Sequence, residues 1–280
     1  MIYLPVIGAL LEATGTIFEK RLLMKKFLNY KNYNVLSFFA IAAVMLPFLY
    51  FFWKITPEAF LLKNILIFSV VIIASIIANL TLFYAYKWEK ISELEPIRLT
   101  QPLFTVFLAV IIYSSERNFS LIALAIIASI ALVATHIKKH HLVCNKYIIS
   151  ALISSLFFAI ELVASKAILD YYSSFTFYFL RCLFIFIVSL LIFMPSLKGI
   201  NKKTYSYIFG VAIIWIFYRI ILYWGYGAYG IVFTTILFIL SPVFILAFAK
   251  IFLKEKLTLR QIIATSIMVL CVVAAILIEN

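Results

Sequence analysis

Along this chain apolar residues gather into long runs, and polar residues fall in the short gaps between them. A helix needs about 20 predominantly apolar residues to cross the hydrocarbon of a bilayer. Runs of that kind lie at 2–18, 35–53, 64–86, 91–113 and 119–137, then at 147–169, 175–195, 205–224, 229–253 and 257–278. A basic link, Lys138-Lys139-His140-His141 to Lys146, separates the two sets. The gaps are too short to fold on their own, so the pattern predicts no soluble domain.

The two sets read as copies of one unit. Pro102 in the fourth run is followed by Leu-Phe-Thr-Val-Phe-Leu-Ala and then by Glu116; Pro242 in the ninth is followed by Val-Phe-Ile-Leu-Ala-Phe-Ala and then by Glu255. A hydroxyl residue, Ser120 or Thr258, comes next, and a last apolar run begins. Lys20 near the end of the first helix matches Lys166 near the end of the sixth. Five is an odd number, so the second copy must enter the membrane in the opposite orientation. The expectation is an all-α membrane protein of ten transmembrane helices, arranged as two inverted five-helix repeats over 1–140 and 141–280. Two such halves rocking about a site near the midplane are a recurring transporter design.

Composition points the same way. Hydrophobic residues fill 66% of 280 positions and charged residues only 12%, too little polar surface to cover a soluble core of this size. The formal net charge of +13 would suggest nucleic acid in a soluble protein. Here the basic residues occupy gaps between apolar runs, which is topology signalling and headgroup contact, and no nucleic-acid partner is expected. They favour the gaps after odd-numbered helices (Lys20, Arg21, Lys25, Lys26, Lys87, Lys90, Lys138, Lys139, Lys198 and Lys202 among them), with Lys54, Lys63 and Arg117 on the other side. By the positive-inside rule both termini then lie outside. Cys144, Cys182 and Cys271 have no metal or redox spacing and read as packed or lipid-facing fillers. His136, His140 and His141 lack a second ligand cluster. With no metal-binding motif pair, no P-loop, no Gly-x-Ser-x-Gly elbow and no paired aspartates, neither an enzyme nor a cofactor is expected.

The paired motifs Pro102…Glu116-Arg117 and Pro242…Glu255-Lys256, with Arg181 near the start of the seventh helix, resemble the ten-helix drug/metabolite transporter superfamily of the EamA type. The first half lacks a counterpart of Arg181. That resemblance implies both termini in the cytoplasm, against the charge count. A sharper likeness lies in Gly8-Ala9-Leu10-Leu11-Glu12-Ala13-Thr14-Gly15-Thr16…Lys20, which looks like the first helix of the small multidrug resistance transporters, where Glu-x-x-Gly-Thr is followed by a Lys. The resemblance implies that Glu12 binds protons or substrate. In the second half Phe158 stands where Glu12 does, and Glu161 follows three residues later.

Few residues in the apolar runs can carry chemistry. Glu12 lies mid-helix, where an ionised carboxylate costs a few kcal/mol or more and so faces a cavity or a partner; the bland alternative is a hydrogen bond to Thr16. Glu161 is equally deep and either shares that cavity or pairs with Arg181 or Arg219. Arg219 and Arg181 are candidates to grip a substrate anion with two bonds, or else pair with Glu161 or Asp170. Arg98 and Gln101 precede Pro102 and are candidate cavity liners, with a local ion pair to Glu93 or Glu95 as the alternative. Asn79 can hydrogen-bond a helix or a substrate. Trp215, Phe217, Tyr218, Tyr223, Trp224, Tyr226 and Tyr229 form either a cation cage or an interfacial belt, with Gly225, Gly227 and Gly230 in the turn behind them. The expected function is a secondary active transporter in the cell membrane. It would move a small organic metabolite, amino-acid-like or cationic, by alternating access as a monomer, with protons as a candidate coupling partner and efflux a candidate direction. A flippase for a lipid-linked or polyprenyl-phosphate substrate is the alternative.

Overall fold

A computed structural model describes residues 3–98, 100–134, 145–195, 200–252 and 259–279. They form ten helical segments. In the first half these are α1 (Tyr3–Leu23), α2 (Tyr30–Met45, carried through a 3-10 turn at Leu46–Phe48 into Leu49–Phe52), α3 (Leu62–Trp88), α4 (Ile91–Arg98 and Thr100–Ile112) and α5 (Phe119–Ala134). In the second they are α6 (Lys146–Lys166), α7 (Ser174–Phe193), α8 (Lys202–Tyr229), α9 (Ile231–Phe238 and Leu240–Phe252) and α10 (Leu259–Glu279). Among the described residues, 7 helices are long and apolar enough to cross a membrane. The helix α1 has the length but carries Glu12, Glu19 and Lys20 within it.

Lipid offers backbone groups no hydrogen bonds, so the chain satisfies them within helices. Asn29, Asn145, Ser173 and Asn201 cap the starts of α2, α6, α7 and α8 with their side-chain oxygens. Pro102 and Pro242 are each the third residue of the helical piece they belong to, in the turn where an N–H has no partner to lose. Pro242 also explains why the first piece of α9 stops at Phe238, since a proline ring crowds the carbonyl four residues before it.

The helix pairing exchanges the halves. The helix α3 packs along α6 as α8 packs along α1; α4 lies on α6 as α9 lies on α1; α2 pairs with α7, and α5 with α10. Two lysine clasps repeat the relation at atomic scale. The Lys20 ammonium, at the end of α1, donates to the carbonyls of Tyr86 and Glu89 at the end of α3. The Lys166 ammonium, at the end of α6, donates to the carbonyl of Tyr226 in the last turn of α8 at 2.8 Å. Each neutralises carbonyls that a helix C-terminus leaves unpaired. Because helices alternate in direction, the first clasp lies on one side of the membrane and the second on the other, as inversion requires.

Two details depart from the sequence reading. The helix α1 runs past Glu19-Lys20-Arg21 to Leu23, because neighbouring helices take up its charges. The helix α8 runs to Tyr229, so Gly225 and Gly227 lie inside it and Gly230 alone makes the turn, at φ +82°. A side chain at Gly225 would meet Thr234 at 2.8 Å, so that glycine serves the close approach of α8 to α9. Cys182 is fully buried, the packed one of its two readings. The border at 140/141 and the residues His136, Lys138, Lys139, His140, His141, Cys144, Lys198, Glu255, Lys256 and Thr258 lie outside the described residues.

Candidate functional site

Glu12 and Glu19 stand seven residues apart on α1, two turns of helix, and therefore share a face. That face meets α2, α3, α4 and α8. The Arg98 guanidinium of α4 reaches Glu12 at 3.2 Å and also holds Glu95, one turn earlier on its own helix, at 2.7 Å. Glu19 is held differently: the phenol of Tyr33 on α2 donates to its carboxylate at 3.0 Å.

A second cluster forms in the other half. The Glu161 carboxylate of α6, with no exposed surface, accepts from Arg219 of α8 at 3.1 Å, lies 3.2 Å from the Arg181 Nε of α7, and accepts from the Tyr223 hydroxyl at 3.0 Å. Arg181 Nε also donates to the Ser75 hydroxyl of α3 at 2.9 Å, while its Nη2 is buried without a hydrogen-bond partner. The Arg219 guanidinium sits over the rings of Tyr218, Tyr223 and Phe158 at 5.6–5.9 Å. One carboxylate thus serves two guanidiniums, and the cluster retains a positive charge that a ligand anion can meet.

The two clusters border one chamber. Glu12, Glu19, Asn79, Arg98, Gln101, Arg181, Trp215, Tyr218 and Arg219 line a cavity of about 50 Å³, together with Ser37, Phe38 and Phe158. A second cavity of about 50 Å³ adjoins it and shares Glu12, Arg98, Gln101 and Tyr218. Each has room for only a few waters, far below the roughly 300 Å³ of a typical ligand pocket. The lining carries both signs of charge, with carboxylates from α1 and guanidiniums from α4, α7 and α8, and Arg98 of α4 is already paired to Glu12.

Of the sequence candidates, eight line this chamber directly. Glu161 instead lies behind Arg181 and Arg219, so the salt-bridge reading describes its contacts. Arg98 combines both of its readings, lining the chamber while paired to Glu95. Glu12 pairs with Arg98 and not with Thr16, whose hydroxyl is buried without a partner. Asn79 donates to the Ser75 carbonyl in its own helix at 2.7 Å and still borders the cavity. The aromatic group divides: Tyr223 and Tyr226 are buried and Tyr218 and Trp215 line the chamber, whereas Phe217 and Trp224 point outward. Glu19, Ser37 and Tyr178 were missed. Only Glu19 had a signal in the sequence, its two-turn spacing from Glu12; the others come from helices whose facing side apolar runs conceal.

Pro102 and Pro242 set the equivalence of α4 and α9, and Lys20 and Lys166 that of α1 and α6. By that equivalence the Glu12–Arg98 pair of one half corresponds to Phe158 and Phe238 in the other. The frame is two-fold; the chamber's chemistry is not.

Residues 1–136 and 145–277 each match the EamA-like transporter family. Among solved structures 29 chains match. One, a protein known from its crystal structure, superposes with a TM-score of 0.73 at 13% identity, over 99% of this chain and 97% of its own, a likeness of fold alone. No curated protein matches.

Proposed function

The chain belongs to the EamA-like transporter family, a group of multi-pass membrane transporters of the drug/metabolite superfamily, and from that premise we propose that it moves a small zwitterionic, amino-acid-like solute across the cell membrane by alternating access. The observation that carries this reading is the lining of one chamber by both signs of charge. Arg181 and Arg219 offer guanidinium edges to a carboxylate, one of them an unpartnered Nη2. Glu12 and Glu19, which line the same chamber, suit an ammonium. A solute carrying both charges satisfies both as it leaves water, which a single-charged solute cannot do. The narrow chamber must widen to admit it, with the two halves rocking about the site. Proton coupling belongs to the same reading, with a carboxylate of the chamber as the proton's site. The protein acts as a monomer in this scheme, each chain holding a whole chamber.

Counterflow in proteoliposomes tests it. Vesicles preloaded with a mixture of unlabelled amino acids should accumulate their radiolabelled forms, and Glu12→Gln and Arg219→Ala should each reduce that accumulation while the purified proteins stay monodisperse. Competition by simple carboxylates alone or simple amines alone, with none by zwitterions, would overturn the assignment. A polyprenyl-phosphate lipid brings an anionic headgroup with nothing to answer Glu12 and Glu19, so scrambling of such lipids without amino-acid counterflow would favour the flippase reading.

A further inference from the structure

Resting on the transporter reading above, we propose that Glu19, rather than Glu12, is the carboxyl that takes up and releases the coupled proton, and that the proton and the solute's ammonium compete for it. Among the described residues, four glutamates lie in the interior around the chamber, and three are tied to guanidiniums: Glu12 at 3.2 Å and Glu95 at 2.7 Å to Arg98, and Glu161 at 3.1 Å to Arg219. Glu19 is 3% exposed, lines the cavity, and among the described residues has no cationic side chain within ion-pair distance.

The groups around it are largely neutral or already engaged. Tyr33 faces it from α2 with the phenol hydrogen bond, and Tyr86 lies nearby on α3. Arg98 on α4 is within electrostatic reach, but its nitrogens are committed to Glu12 and Glu95. From α8 the Trp215 indole N–H lies close by without a hydrogen bond of normal geometry. On α1 itself Glu12 is the nearest other carboxylate in the chamber, and the neighbouring Lys20 ammonium turns to the carbonyls at the end of α3.

An anion placed there without a cation is costly, whereas a neutral carboxylic acid both accepts from Tyr33 and donates a hydrogen bond of its own. An ammonium entering the chamber removes the penalty and displaces the proton to water; its departure restores it. One site occupied alternately by a proton and a cation is sufficient for exchange of solute against protons. Glu19 also lies about 10 Å along α1 from Glu12, toward the C-terminal end of that helix.

Infrared difference spectroscopy of the protein in lipid tests the assignment without any solute. A carboxylic-acid carbonyl band that disappears as pH is raised should be present in the wild type and in Glu12→Gln, and lost in Glu19→Gln. Should Glu19→Gln fail to fold, Tyr33→Phe serves instead: it removes the hydrogen bond to that carbonyl and must shift the band's frequency. A band that survives Glu19→Gln, is lost in Glu12→Gln or is unmoved by Tyr33→Phe overturns the proposal. In proteoliposomes, wild-type uptake of radiolabelled amino acids should follow an imposed pH gradient, and uptake by Glu19→Gln should not respond to it. If the wild type shows no amino-acid counterflow, the transport reading fails, while the infrared result still decides which carboxyl binds the proton.

Discussion

Neutralising Glu161 with a Glu161→Gln substitution leaves two guanidiniums in the protein interior without a counter-charge. Arg181 is 1% exposed and Arg219 is 7% exposed, so water cannot take the carboxylate's place. Breaking a buried ion pair by removing one partner costs about 3–5 kcal/mol, because the remaining charge stays desolvated. Both arginines depend on this one carboxylate, so the loss should reach at least that range. Arg219→Gln alone should cost less, about 1–3 kcal/mol, since Glu161 keeps Arg181 at 3.2 Å and the Tyr223 hydroxyl at 3.0 Å. The decisive comparison is the double variant. Once Glu161→Gln is in place, Arg219 is an unpaired buried charge, and removing it should be neutral or stabilising. The two substitutions should therefore be coupled by more than about 1 kcal/mol. Reversible unfolding of the purified protein in mixed micelles, followed by circular dichroism, gives all four free energies of the cycle. A loss below about 1 kcal/mol for Glu161→Gln, or additive effects in the double variant, would refute the claim that this carboxylate holds the cluster together.

Other substitutions test other joints. The Glu116 carboxylate accepts from the backbone N–H groups of Ile231 at 2.7 Å and Val232 at 2.9 Å, tying the turn after α4 to the start of α9. Glu116→Ala should cost about 2–4 kcal/mol in the same unfolding assay, and an effect within about 0.5 kcal/mol, the scatter for surface substitutions, would show the cap to be dispensable. Gly230→Ala should cost about 1–3 kcal/mol, since its φ is +82° and a Cβ would lie 2.8 Å from the Glu116 carboxylate; unchanged stability would mean that the turn relaxes freely. Glu12→Gln should cost less than about 2 kcal/mol, because Arg98 retains Glu95, yet should reduce amino-acid counterflow. Retained transport would remove Glu12 from the substrate path.

Much of the fold could be read along the chain because the bilayer imposes a one-dimensional rule. A helix of fixed length must be apolar, so runs of apolar residues delimit the spans within a few positions, as at Leu62–Trp88 and Ser174–Phe193. The two prolines and the two lysines marked the repeat for a similar reason: each does a job at a helix end that the second half does again. The ionisable residues Glu12, Glu161, Arg98, Arg181 and Arg219 stood out because so few charges are tolerated in lipid. Their roles did not. Sequence spacing placed Glu12 at the centre of the chemistry, while tertiary structure paired it with Arg98 and left the less conspicuous Glu19 beside a phenol. Whether a buried carboxylate is charged or neutral depends on which side chains of other helices reach it within about 4 Å, and no periodicity along one helix carries that information. The linear pattern of the chain set how many helical segments form and roughly where they end; which charges meet came from the way those helices pack.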